Sequence, residues 1–359
     1  MTSTSIDRAT QPAHPDRAAQ RRQIGQWLLV CSAAIFVMVV IGGITRLTES
    51  GLSMVEWRAF LDAVPPMSEA AWQRLFDLYR QTPEFQLKNA WMTLDDFKTI
   101  FWWEYIHRLW GRGLGFLFFI PFVWFLVKRR VEARLLPALL AMFALGAVQG
   151  AIGWWMVKSG LVDRPDVSQY RLAVHLTVAF LLQAVVFWVA LDLIRGRIGA
   201  EGITPARPGL ALASVGLVWW TLFVIVTGAF VAGTNAGLAY NTYPLMDGRI
   251  VPEGYFAIMP GWLNLFENTA AIQFNHRLVT LLTLVFAVWL WLKAWPIEDR
   301  AVRLPLGLML AAVLGQFMLG IATLLAQVPV SLGAAHQGGA YVLFTATLWT
   351  AHALRRYRD

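Results

Sequence analysis

The sequence predicts an all-α integral membrane protein with eight transmembrane helices arranged as two parallel four-helix repeats. Three observations carry this. Of the 359 residues 57% are hydrophobic and only 14% charged, whereas soluble domains run to about a quarter charged. The apolar residues fall into eight runs of about twenty, the length that crosses ~30 Å of hydrocarbon. Finally, residue words in the first four runs return in the last four.

Before the first run, residues 1–24 are polar, carry Arg8, Arg17, Arg21 and Arg22, and read as a disordered cytoplasmic tail. The runs lie near 25–45, 104–127, 135–157, 171–194, 209–232, 270–292, 303–325 and 330–353. No small-residue cleavage site follows the first, so it reads as a retained helix. Residues 25–200 then form the N-terminal half, 201–354 the C-terminal half, and 355–359 a second cytoplasmic tail.

Basic residues set the orientation. The tails carry four and three Lys or Arg, and the loops on their side carry four, three and three; the opposite loops carry six over a long segment, then three, one and none. Positive charge inside puts both termini in the cytoplasm, as in a cell inner membrane protein. The net charge of +8 is therefore a topology signal and not a nucleic-acid surface. Cys31, the single cysteine, lies within an apolar run, which excludes an intrachain disulfide or a cysteine zinc site. In the long outer segment, Trp72, Leu75, Phe76 and Tyr79 recur at helical spacing behind Ser68 and predict a short amphipathic helix on the membrane surface.

The repeat is specific in its words. Thr48-Glu49-Ser50-Gly51-Leu52 is echoed by Thr234-Asn235-Ala236-Gly237-Leu238, and Glu104-Tyr105-Ile106-His107-Arg108-Leu109 by Gln273-Phe274-Asn275-His276-Arg277-Leu278. Gln149 and Gly153 match Gln316 and Gly320, and Val174-His175 matches Ala335-His336. With an even number of spans per half, the halves run parallel about an axis along the membrane normal.

His107, His175, His276 and His336 each lie within about six residues of the outer start of an even-numbered span, no more than roughly 9 Å below the interface. One such histidine is ordinarily a helix-bonding polar group. Four at one depth mark function, because polar groups in lipid are costly. Two per half do not make the tetrahedron of a structural zinc; a facing pair can supply both axial positions of a haem iron. Gly111, Gly113, Gly115, Gly338 and Gly339 leave backbone room for a macrocycle. Arg108, Arg171 and Arg277 lie where they can pair with propionates or snorkel to head groups. Glu104, one turn before His107, is placed to orient that imidazole or shuttle protons; its counterpart Gln273 is uncharged.

These motifs resemble the haem A synthase family. The words that carry the resemblance are Gly43-Ile44-Thr45-Arg46-Leu47-Thr48-Glu49-Ser50-Gly51-Leu52-Ser53, the Glu104–Arg108 word, Gln149 to Leu161, Asn275-His276-Arg277 and Ala335-His336-Gln337. The likeness runs from about Trp27 to His352 and is to the proteobacterial and mitochondrial type, since the loop cysteine pairs of the other bacterial type are missing. It implies oxidation of the C8 methyl of haem O to a formyl group, by successive hydroxylation and loss of water, to make haem A for terminal oxidases. It implies a haem b cofactor on His276 and His336, and places the substrate haem and catalysis at His107, His175 and Glu104. Haem O, membrane lipid, a haem O synthase and an electron donor are the partners it suggests, with a homo-oligomer open. A di-haem cytochrome b-type electron carrier and a parallel-repeat transporter are the competing readings.

Overall fold

A computed structural model describes residues 15–56, 64–160, 167–195 and 205–357. Tail residues 1–14, with Arg8 and His14, and also Leu161, Arg197 and Arg358, lie outside the described residues. Among the described residues the regular structure is helical: α1 Pro15–Leu47, α2 Glu69–Tyr79, α3 Leu94–Val127, α4 Leu136–Gly160, α5 Gln169–Ile194, α6 Pro208–Gly233, α7 Asn264–Glu267, α8 Thr269–Ala294, α9 Arg300–Leu325 and α10 Val330–Arg356.

Seven of these helices, α1, α3, α4, α5, α6, α8 and α9, are long and apolar enough to cross a membrane, so the chain is a multi-pass membrane protein. The eighth expected span, α10, has 27 residues but is less apolar. Its position explains this. It packs against α9, α6, α1 and α5, so protein rather than lipid covers Thr347, Thr350 and His352, all buried.

Helices α1, α5, α6 and α10 form the centre, with α3 and α4 packed outside the first two and α8 and α9 outside the others. One apolar core joins α1, α5 and α10 through Leu28, Phe180 and Phe344. A second joins α6, α8, α9 and α10 through Leu217, Leu290 and Met309. Buried polar contacts cross between the halves. Tyr341 Oη donates to Ser32 O at 2.6 Å, Gln183 Nε2 donates to Thr345 Oγ1 at 3.2 Å, and Gln337 Nε2 donates to Val39 O at 2.8 Å. In an apolar interior such pairs fix register, because a partner lost leaves a buried polar group unsatisfied.

Two boundaries differ from expectation. Residues 15–24, expected as tail, are the opening turns of α1. They are held there by Arg21, whose guanidinium pairs bidentately with Glu132 at 2.5 and 2.9 Å, and by Arg130, which donates to Gln23 at 3.0 Å. Donation from Arg21 is the main cause that holds the Glu132 carboxyl below its usual range. Helix α3 starts at Leu94, ten residues before the expected 104, so it rises roughly 15 Å beyond the predicted span. Its start is a capping box of Thr93 with Asp96, worth about 1 kcal/mol.

That extension supports the outer segment. Helix α2 is the expected amphipathic helix, capped by Ser68. It rests on α3 itself: Phe76 and Tyr79 each lie 5.3 Å from the Phe97 ring, and Trp72 lies 4.9 Å from Phe101. A π-helical turn, Phe85–Asn89, returns the chain. Behind it Glu84 is buried, accepting from Tyr79 Oη at 3.1 Å, while Asn89 Nδ2 donates to the same hydroxyl at 2.7 Å.

The repeat is visible in local geometry. Glu49 and Asn235 both adopt left-handed backbone, φ 52° and 53°, ending α1 and α6 in the same way. Thr48 Oγ1 donates to Ile44 O and Thr234 Oγ1 to Phe230 O, each at 2.8 Å.

Burial pushes the Glu84 carboxyl up to about 8, with Glu104 and Glu49 adding to the rise and Lys88 opposing it. The folded form therefore holds a proton that the unfolded segment releases near its ordinary value. The stability of this outer segment should fall as pH rises from about 5 to 8. Glu84→Gln should abolish that slope, which amide hydrogen exchange of residues 69–93 at pH 6 and pH 8 measures; an unchanged slope refutes the assignment.

Candidate functional site

The four histidines come from α3, α5, α8 and α10, and each lies against a glycine of the preceding long helix. A Cβ at Gly42 of α1 would stand 3.1 Å from His107 Cε1, and one at Gly153 of α4 would stand 3.2 Å from His175 Cε1. In the other half, Gly228 of α6 would meet His276 Cε1 at 3.2 Å and Gly320 of α9 would meet His336 Cε1 at 2.9 Å. Any side chain at these four positions would drive into a ring. All four rings are half-buried. His107 and His175 are close enough to act on one another electrostatically, as are His276 and His336. Among the described residues no three His, Cys, Asp or Glu side chains converge as ligands for a bare ion.

The glycines expected beside the histidines do other work. Gly113 and Gly115 face open space, Gly111 meets the Met38 methyl, Gly338 packs on Phe36 and Val40, and Gly339 lies against Gln316. Of the four that cradle a ring, Gly153 and Gly320 stood out as repeat echoes. Gly42 and Gly228 did not, since only the tertiary fold brings α1 to α3 and α6 to α8.

Gln149 and Gln316 hold the α5 and α10 histidines alike. Gln149 Nε2 donates to His175 O at 3.1 Å and lies 3.2 Å from its Nδ1. Gln316 Nε2 donates to His336 O at 2.9 Å and lies 3.1 Å from its Nδ1.

Glu104 is buried rather than interfacial, and it does not orient His107. Its Oε2 accepts from Ser53 Oγ and from Met54 N, both at 2.7 Å, and its Oε1 accepts from Arg108 at 2.5 Å. The carboxylate therefore pins the loop after α1 onto α3. Gln273 does the same with opposite polarity: its Nε2 donates to Ala236 O at 2.9 Å and Tyr240 O at 3.2 Å. The arginines complete each clamp. Arg108 donates to Met54 O at 3.0 Å and Arg277 to the equivalent Tyr240 O at 2.7 Å. Arg277 also donates to Thr242 O, at 2.8 Å. Arg171 donates to Trp155 O at 2.6 Å, its guanidinium 4.4 Å from the Trp155 ring centre. All three expected propionate partners thus hold main-chain oxygens, Arg108 and Arg277 those of the outer loops and Arg171 that of Trp155 in α4. Asn275 is part of that cover too, accepting from Tyr255 Oη at 2.8 Å.

A concavity of about 920 Å³ lies between α1 and α10. Its walls, among them Val40, Ile44, Trp103 and Ala334, carry none of the four histidines.

Residues 25–348, which include all four histidines, match the family described as cytochrome oxidase assembly protein. The chain is 49% identical to the haem A synthase of Nitrosospira multiformis over 354 residues, covering 98% of this chain and 99% of that one. It is 48% identical to the haem A synthase of Parvibaculum lavamentivorans, covering 94% and 96%. It is also 48% identical to that of Rhodospirillum centenum, covering 99% and 94%. Matched in this way nearly end to end, the chain belongs to the COX15-CtaA family of cytochrome oxidase assembly proteins.

Proposed function

We propose that this membrane protein is a haem A synthase, oxidising the C8 methyl of haem O to the formyl group of haem A. The observation that carries the reading is the pair of half-buried imidazoles in each half, set against glycines, in a chain that matches named haem A synthases over almost its whole length. In this reading His276 and His336 hold a resident haem b, and His107 and His175 receive the substrate haem. The donor set suits the group: imidazole nitrogens in twos, within an apolar bundle, with no thiolate or carboxylate competing for iron. A haem b bound there supplies one-electron transfer.

The chain's own residues orient the substrate, exclude water and manage protons. The clamp of Glu104, Arg108, Ser53 and Met54 closes the outer end of the N-terminal half. Each hydroxylation is a two-electron oxidation that replaces a hydrogen of the methyl by a hydroxyl; with dioxygen as oxidant, the second oxygen atom leaves as water with two protons and two electrons, and loss of water from the doubly hydroxylated carbon leaves the formyl group. Glu104 is the carboxylate proposed to pass protons at that site. The counterpart Gln273 does not titrate, which agrees with a half that only carries electrons. The placement of basic residues supports a cell inner membrane location with both termini in the cytoplasm.

Pyridine haemochrome analysis of protein purified from cells that also make haem O tests this directly. A formyl haem is expected in the wild type; a protein that holds b-type haem and never yields haem A would instead be an electron carrier. Alanine at His276 or His336 should remove haem b, while alanine at His107 or His175 should retain haem b and end haem A formation. Glu104→Gln should slow haem A formation roughly a hundredfold with haem b content intact, and full activity in that variant would end the proton role.

A further inference from the structure

The halves differ at one more position beside the rings, and the difference decides where a proton sits. Thr227 of α6 directly precedes Gly228, on which His276 rests. Its Oγ1 lies 2.8 Å from His276 Nδ1 and donates to Val224 O at 2.7 Å. A hydroxyl has one hydrogen, and Val224 takes it. With that hydrogen on Val224 O the hydroxyl turns a lone pair to the ring, and the tautomer that completes the contact carries its proton on Nδ1 and donates it to Thr227. Nε2 is left with its lone pair outward, the form in which imidazole binds a metal.

In the other half the residue before Gly42 is Ile41. It offers no hydroxyl, and His107 Nδ1 is a buried atom without a hydrogen-bond partner among the described residues. The second histidine of each pair has the same main-chain support, Gln149 donating to His175 O and Gln316 to His336 O, with Gln149 Nε2 also 3.2 Å from His175 Nε2. The contrast in a hydroxyl partner is confined to His276 and His107.

We propose that this position sets how long each half keeps its haem: Thr227 makes His276 a permanent ligand, and Ile41 leaves His107 a releasable one. The inference rests on the four histidines being haem ligands. A partner on the far nitrogen fixes tautomer and ring orientation and makes the imidazole a stronger base toward the metal; removing such a partner typically weakens metal binding roughly 10- to 100-fold. A site that must accept haem O and surrender haem A gains from a looser ligand. A site that keeps its haem through every turnover gains from a locked one. Thr227 thus acts as a positioning residue through the ring it borders, and Ile41, at the equivalent place before Gly42, supplies His107 with no such partner.

The test uses the full-length protein in detergent, loaded in cells that make haem O, with apomyoglobin as haem acceptor and a redox titration of the bound haem. Thr227→Val keeps the shape and removes the hydroxyl. It should speed loss of b-type haem at least tenfold and raise its midpoint potential, since a less basic ligand favours ferrous iron; Thr227→Ser should restore both. Ile41→Thr should slow loss of the second, O- or A-type haem by a similar factor, with Ile41→Val behaving as wild type. Potential and retention unchanged in Thr227→Val, or haem exchange unchanged in Ile41→Thr, overturns the proposal. If Thr227→Val does not fold, Ile41→Thr alone decides. A wild-type chain that binds no haem at all refutes the ligand reading beneath it.

Discussion

Everything in this fold turns on bringing an imidazole ring against bare backbone inside an apolar bundle. A ring that polar is costly in hydrocarbon, so protein must surround it, and α1, α4, α6 and α9 each supply a glycine that lets helix and ring approach. Those contacts pair α1 with α3, α4 with α5, α6 with α8, and α9 with α10, the neighbours that compose each half. A methyl at Gly320 would already lie 2.9 Å from His336. The chain is thereby committed to glycine at points where an interior helix would otherwise gain from a larger apolar residue.

The covers over the two sites obey the same economy. In each half an arginine one turn past the Glu or Gln reaches the main-chain oxygen of an equivalent loop residue, Met54 or Tyr240. Between them, the side chain of residue 104 or 273 satisfies what the loop leaves open. Glu104 accepts, so Met54 turns its N–H inward; Gln273 donates, so the loop presents carbonyls. One architecture is held by opposite hydrogen-bond polarity. A charge is thus retained in the N-terminal half at no loss of local geometry, because Arg108 neutralises it.

Much of this could be read before the fold was seen, and the reasons for the rest are physical. Apolar runs announce spans because hydrocarbon tolerates little else, and repeated words announce duplication whatever the structure. Helix ends were less legible. Residues 15–24 are polar and 94–103 open on Asp95, Asp96 and Lys98, and what extends the helices over them is tertiary: Arg21 reaching Glu132, and α2 resting on Phe97 and Phe101. The arginines illustrate the same limit. Arg108, Arg171 and Arg277 looked like anion partners because charge near an interface admits that role, but Arg108 and Arg277 donate to carbonyls of loops whose path no local pattern reveals, and Arg171 donates to a carbonyl of the neighbouring helix α4. Gly42, Gly228 and Thr227 stayed hidden because each matters only to a histidine on another helix.

Duplication also explains where chemical difference accumulates. A two-site bundle made from one repeat begins with identical sites, and its helices must keep fitting one another, so changes in the shared core are costly on both sides. Positions that touch one ring and little else are released from that constraint. Residue 227 stands beside a ring nitrogen, and residue 104 or 273 stands under a loop; Glu for Gln changes hydrogen bonding while adding almost no volume, and Thr for Ile at the position before the cradling glycine brings a hydroxyl at the loss of one carbon. The glycine cradles and the Gln149 and Gln316 supports, which set the geometry itself, have stayed alike. The proposed division of labour between the halves therefore needs no new fold and no moved helix. It needs a proton held firmly at one imidazole and a carboxylate kept above another, within a frame that both halves still share.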